Sequence, residues 1–295
     1  TLSALTATPR HTPRAVIVAL HGVGMSAGYF DNRARPGLSL LTLGAQLGHT
    51  VIAPDRPGYG ASATALPRGQ NLGDQSDTLH TALARYAETH PTGAGFFLLA
   101  HSGGARLALA AAADPRAARV IGLDLSGIGT RLAAAPHQLP GPARRGDWRR
   151  HWGSLRLYPP GALRLGGQLV RPVPALEAAE TPAWPARYPR LAARVTAPVR
   201  FTFAEQERWW HHDPAALREL LAPLASPRAE AVRLPDAGHN ISLGWAARTY
   251  HLRALAFLEE CLLTRDAADP SSTLRTTAGP RTPAAPHPPH HLTSP

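Results

Sequence analysis

The stretch Phe96-Phe97-Leu98-Leu99-Ala100-His101-Ser102-Gly103-Gly104-Ala105-Arg106-Leu107-Ala108-Leu109 constrains this chain more than any other. A continuous apolar run of strand length is broken by one serine among small residues, and an alanine-rich helical pattern follows at once. The reading is a buried strand ending at Ala100, a helix beginning near Gly103, and Ser102 at the apex of the turn between them. Only small residues fit two positions either side of that serine, because the two backbones nearly touch there. Ala100 and Gly104 meet the requirement. The geometry is that of a nucleophile elbow, usually written G-x-S-x-G, with the first glycine replaced by alanine at the cost of one methyl group. A serine that only caps the helix is the plainer reading of the same residues.

Three further segments bear on the choice. Ala15–Leu20 is an apolar run followed by His21-Gly22-Val23-Gly24. Val51–Ala53 leads into Pro54-Asp55-Arg56-Pro57-Gly58-Tyr59-Gly60-Ala61-Ser62, and Val232–Leu234 leads into Pro235-Asp236-Ala237-Gly238-His239-Asn240. In this order and spacing, residues 12–262 resemble the α/β-hydrolase superfamily. His-Gly-x-Gly stands after the third family strand, Asp-x-Pro-Gly-x-Gly-x-Ser after the fourth, the elbow after the fifth and Gly-His after the eighth. The resemblance implies an α/β fold with a mostly parallel central sheet, helices on both faces, and a helical cap between strands six and seven.

The chain's own patterning is compatible with that layout. Its 295 residues suffice for one large α/β domain with an insertion. Leu2–Thr8 reads as an early antiparallel strand, Leu38–Leu47 and Leu72–Tyr86 as amphipathic helices, Val120–Leu125 and Val199–Phe203 as strands, and Leu243–Leu263 as a closing helix. The expected division is core 1–127, cap or lid insertion 128–196, core 197–265, and a Pro/Thr/His-rich disordered tail 266–295. The insertion holds Trp148, Trp152, Tyr158, Trp184 and Tyr188, which either line an apolar pocket or pack the cap onto the core.

A serine hydroxyl needs an adjacent base that titrates near neutrality, which points to histidine. The resemblance puts His239 in that role, gives His21 a structural one, and turns His101 away from the reacting atom. The base in turn needs an acid, and chain order in this fold is Ser, then Asp/Glu, then His. Residue by residue, Glu207 falls on the family's acid position, with Glu205 and Asp124 as rivals. Asp213, before Pro214, reads instead as a helix N-cap. The oxyanion would be held by the backbone amides of Val23 and Gly103.

Other function classes fit less well. The formal charge of +11 invites a nucleic-acid reading, but all 31 basic residues are arginines and, apart from Arg144-Arg145 and Arg149-Arg150, they are scattered. The histidines at 287 and 290–291 lack a Cys or carboxylate to complete a metal site. Cys261 lies in an apolar helical stretch and reads as a buried thiol in a reducing compartment. No signal-like or membrane-spanning run is found. The expectation is a cytoplasmic serine hydrolase acting on an ester or thioester of a small, largely apolar acyl substrate. It would use no cofactor or metal and bind neither nucleic acid nor membrane, with its oligomeric state open. Acyl transfer or carbon–carbon bond hydrolysis by the same residues, and a non-catalytic ligand-binding member of the fold, are the alternatives.

Overall fold

The computed structural model describes residues 1–141 and 148–268. Seven strands form one sheet: β1 (Ala4–Ala7), β2 (Val16–Leu20), β3 (Thr50–Pro54), β4 (Phe96–His101), β5 (Val120–Ser126), β6 (Val199–Gln206) and β7 (Ala229–Gly238). Their spatial order is β1-β3-β2-β4-β5-β6-β7. Only β1 runs antiparallel, pairing Ala4 with Pro54 and Ala7 with Val51. Among the described residues the helices are α1 (Leu40–Gln46), α2 (Leu72–Thr89), α3 (Gly103–Ala112), α4 (Trp148–Trp152), α5 (Ala162–Leu169), α6 (Ala175–Glu180), α7 (Trp184–Ala192), α8 (Pro214–Leu221) and α9 (Ala247–Ala268).

The apolar runs become central strands because each is covered on both faces, where alternation with polar residues would leave buried groups without partners. Every residue of β2 and β4 is buried. Their side chains alternate. Ile17, Ala19, Phe97 and Leu99 pack with Leu40 and Leu43 of α1 and with Tyr250, Phe257 and Leu258 of α9. Val16, Val18, Leu98 and Ala100 pack with Leu79 of α2, Leu107 and Leu109 of α3, and Leu220 of α8. Two aliphatic layers on opposite faces of one sheet are the result.

The order of strands also locates a crevice. From β2 the chain moves outward to β3, then crosses back to add β4 on the other side, so the connections diverge between β2 and β4. Ligand sites in open α/β sheets lie beyond the carboxyl ends of strands at such a point. The segments there are His21–Gly24 and His101–Gly104.

The final strand runs through Pro235 to Gly238, tolerated because β7 is the sheet's last strand. Its pairing with β6 shifts register between Ala204 and Gln206, and Asp236 takes a positive φ of 51°. The closing helix runs on to Ala268, beyond the expected boundary at 265; residues 269–295 and Arg144-Arg145 lie outside the described residues. Trp152, Tyr158, Trp184 and Tyr188 are buried in the packed layers, which is one of the two roles the sequence left open, and Trp184 also borders a small cavity beside Gly103 and Arg106. No helix among the described residues is long and apolar enough to cross a membrane. Cys261 is buried on α9, and burial pushes its thiol up to about 11.

Candidate active site

The turn after β4 is as tight as its sequence requires. Ser102 has φ 51° and ψ −115°, a conformation that L-residues rarely adopt and that costs on the order of 1–3 kcal/mol. Its amide donates to Ser126 O at 2.8 Å. A Cβ on Gly104 would stand 2.2 Å from Leu20 O and 2.6 Å from His21 O, so α3 starts in backbone contact with the end of β2. A Cβ on Gly103 would lie 3.1 Å from Val23 N, so the two proposed oxyanion-binding segments abut.

His239 follows β7 directly and is buried. Its Nδ1 lies 2.8 Å from Glu207 Oε2, while Glu207 Oε1 accepts the Trp209 amide proton at 2.8 Å. Burial alone would raise the Glu207 carboxyl, but His239 and these hydrogen bonds outweigh it and hold the group below the ordinary glutamate range. An ionised Glu207 therefore accepts from Nδ1–H, which leaves Nε2 as the basic nitrogen of the neutral ring. No hydrogen bond joins Ser102 Oγ to the ring among the described residues. Ser102 and His239 line one small cavity, together with Gly22, Val23 and Gly103.

The rival acids are engaged elsewhere. Glu205 Oε2 accepts from Asp236 N at 2.8 Å and so holds the bent end of β7 to β6. Asp124 is fully buried on β5, an interior strand, and accepts from Arg200 Nε at 2.7 Å. Asp213 caps α8, accepting from the amides of Ala215 and Ala216. Among the described residues, Glu207 alone of the three candidates contacts His239.

The other histidines are held in place. His21 Nδ1 donates to Gly22 O at 2.9 Å and Nε2 accepts from Arg56 N at 3.0 Å; burial and the Arg56 charge keep its pKa well below the usual value. The ring is neutral and braces the Gly22–Gly24 loop. His101 does not point away from the site as expected. It stacks on Tyr29 at 4.7 Å, and its ring centroid lies 4.7 Å from that of His239. Burial, with His239 next in weight, holds His101 well below the usual histidine pKa, so it packs as a neutral ring.

The cavity measures ≈ 50 Å³, room for a few waters. Its lining is mostly apolar, with Ile128, Leu132 and Leu139 from the segment between β5 and β6 and Trp209 and Trp210 from the loop after β6. A polar cluster behind the Gly22–Gly24 loop ties α6 to the segments after β2 and β3. Glu177 on α6 pairs with Arg56 at 2.7 Å and accepts from Tyr59 OH at 2.5 Å, while Gly24 N donates to the same phenol oxygen at 3.0 Å. Burial opposes the Arg56 charge, but Glu177 and Tyr59 overcome it and raise its pKa. Glu177 lies far in sequence from Arg56 and Tyr59, and no motif marks the three together. A signal was present in Arg106, a lone charge in a helix otherwise small and apolar on every side.

The sequence profile described as the alpha/beta hydrolase family matches residues 17–252. Among solved structures, a monoacylglycerol lipase from Paleococcus ferrophilus superposes with a TM-score of 0.62 at 17% identity, over 88% of this chain and 99% of that one. A soluble variant of monoglyceride lipase from Saccharomyces cerevisiae gives 0.66 at 14% identity, over 88% and 91%. A thermophilic esterase from Thermogutta terrifontis gives 0.61 at 17% identity, over 88% and 93%. At these identities the likeness is one of fold. No curated protein sequence matches the chain.

Proposed function

The chain belongs to the alpha/beta hydrolase family, and on that premise we propose that it is a serine hydrolase of small acyl esters or thioesters, with Ser102 as nucleophile, His239 as base and Glu207 as the acid that orients it. The observation that carries the reading is one arrangement: a serine at a strained strand–helix apex and an imidazole–carboxylate pair bordering the same cavity. Such strain has no value to a helix cap, which any extended residue serves at no cost.

In this reading His239 Nε2 takes the Ser102 Oγ proton as Oγ attacks the acyl carbonyl. The oxyanion that forms is met by the Val23 and Gly103 amides, donors that need no reorganisation at that moment. Collapse breaks the bond to the leaving group, which receives the proton from His239, and a water repeats the sequence to release the acid. Glu207 keeps its charge throughout and stabilises the imidazolium. Residues 128–196 act as a lid, supported by Ile128, Leu132, Leu139 and Thr181 at the cavity wall. A cavity of this size admits only a short acyl chain unless the lid moves. Esterases and lipases among the similar structures fit an ester substrate.

The test is covalent labelling by a fluorophosphonate, followed by turnover of 4-nitrophenyl esters and acyl thioesters of graded chain length. Wild type should label and favour short chains. Ser102→Ala should lose labelling and lower turnover by several orders of magnitude while remaining folded. Undiminished labelling of that variant would overturn the assignment.

A further inference from the structure

Arg106 has more donors than the protein around it uses. It stands one turn beyond Ser102 on α3, its amide bonded to Ser102 O at 3.4 Å, so the two residues share a helix face. Helical side chains lean toward the N-terminus, which aims this one back at the serine. Arg106 is buried, yet it is among the residues that line the cavity shared by Ser102 and His239, as is its hydrogen-bond partner Thr181. Among the described residues its one hydrogen bond runs from Nη1 to Thr181 Oγ1 at 2.8 Å, out of five N–H donors.

The nearest carboxylate is already committed. Glu177 gives Arg56 a contact of 2.7 Å and Tyr59 a hydrogen bond of 2.5 Å, and stands 3.9 Å from Arg106. Two buried guanidiniums thus share one carboxylate, and Arg106 has the weaker part. Burial holds Arg106 below the ordinary arginine range, only partly offset by Glu177. Among the described residues that line the cavity it is the only arginine, against walls of Val23, Met25, Ile128 and Leu132. A guanidinium with spare planar donors among largely apolar walls matches a carboxylate, which it can take bidentately.

We propose that Arg106, with Thr181 beside it, is a specificity-determining residue that binds a carboxylate on the substrate about one helical turn from the carbonyl that Ser102 attacks. The proposal rests on the hydrolase reading and sharpens it: the preferred substrate is a half-ester or half-thioester of a short dicarboxylic acid. Glutarate, with three methylenes between carboxylate and carbonyl, is the probe chosen for this separation.

Mono-4-nitrophenyl glutarate and 4-nitrophenyl valerate differ in carboxylate for methyl at that position. Wild type should prefer the glutarate by about 10- to 100-fold in kcat/KM, the range for a charged hydrogen-bonded partner, chiefly through KM. Arg106→Gln should bring the ratio near one, and Arg106→Lys should restore part of it, since lysine keeps the charge without the planar fork. Equal kcat/KM for the two esters in wild type, or an unchanged ratio in Arg106→Gln, overturns the proposal. The wild-type comparison decides even if Arg106→Gln does not fold. Calorimetric titration with glutaric acid monoamide against valeramide needs no turnover: tighter monoamide binding supports the site, and equal binding refutes it. Absence of both labelling and ester turnover counts against the hydrolase reading, and the titration still decides whether Arg106 takes a carboxylate.

Discussion

Replacing Glu207 by glutamine tests the hydrogen-bond arithmetic around His239. The carboxylate receives two N–H donors, Trp209 N on one oxygen and His239 Nδ1 on the other, both at 2.8 Å. An amide of the same shape has one acceptor. If that oxygen faces His239, the amide NH2 opposes the Trp209 N–H, and a buried donor goes unsatisfied at about 1–3 kcal/mol. If it faces Trp209, the NH2 donates to Nδ1 and the imidazole proton moves to Nε2, the nitrogen that the proposed mechanism needs as acceptor from Ser102. Either way the imidazolium loses its counter-charge. An isosteric amide at this position of a triad costs about 10⁴ in kcat. Glu207→Gln should therefore fall by 10³–10⁴ in kcat on a 4-nitrophenyl ester. Its melting temperature should drop by only about 2–10 °C. Glu205→Gln, which alters only the brace on Asp236, should stay within about tenfold of wild type. Asp124→Asn should destabilise by about 3–5 kcal/mol by leaving Arg200 buried without its partner, yet keep kcat in the folded fraction. Retention of more than a tenth of wild-type kcat in Glu207→Gln, or a larger kcat loss in either control, would refute the reasoning.

Other consequences follow from the same geometry. Gly104→Ala places a methyl against backbone oxygens that cannot move aside, so denaturant unfolding should register a loss of at least about 1–3 kcal/mol; a change under 0.5 kcal/mol would contradict that close approach. Ser102→Gly relieves the positive φ and should unfold about 1–3 kcal/mol later than Ser102→Ala, with both inactive; equal stability would mean the turn stores no strain. Because the folded-state Glu207 pKa is depressed, its stabilisation is complete above the unfolded value of about 4.3 and disappears as pH falls through the lower folded value. Acid titration of unfolding should accordingly show a shallower loss in that window for Glu207→Gln than for wild type. Tyr59→Phe strands Gly24 N and removes a donor to Glu177, so stability should drop by about 1–3 kcal/mol, measured by the same unfolding assay.

What the sequence by itself determined are the features set by neighbours along the chain. Phe96–Ala100 had to be a covered strand and Gly103 onward a helix, because a run without polar alternation has no exposed face. Small residues around Ser102 required the tight turn, and Asp213 before Pro214 required a capped helix. Positions that depend on a distant partner were undecided. Glu205 and Glu207 stand two apart near the end of β6, and only the register shift against β7 turns one toward Asp236 N and the other toward His239. His101 was expected to face away, but the arrival of Tyr29 and the end of β7 encloses it beside His239. The insertion's aromatics gave no local sign of whether they would meet a cavity or a packed layer, since burial suits either. Arg106 signalled only that a charge in an apolar helix must find a partner; that it meets Thr181 and stands near a carboxylate from α6 already shared with Arg56 and Tyr59 was decided by how the segment between β5 and β6 packs against the rest of the chain. Local sterics are written residue by residue, whereas the pairing of buried charges depends on which segments the sheet brings together.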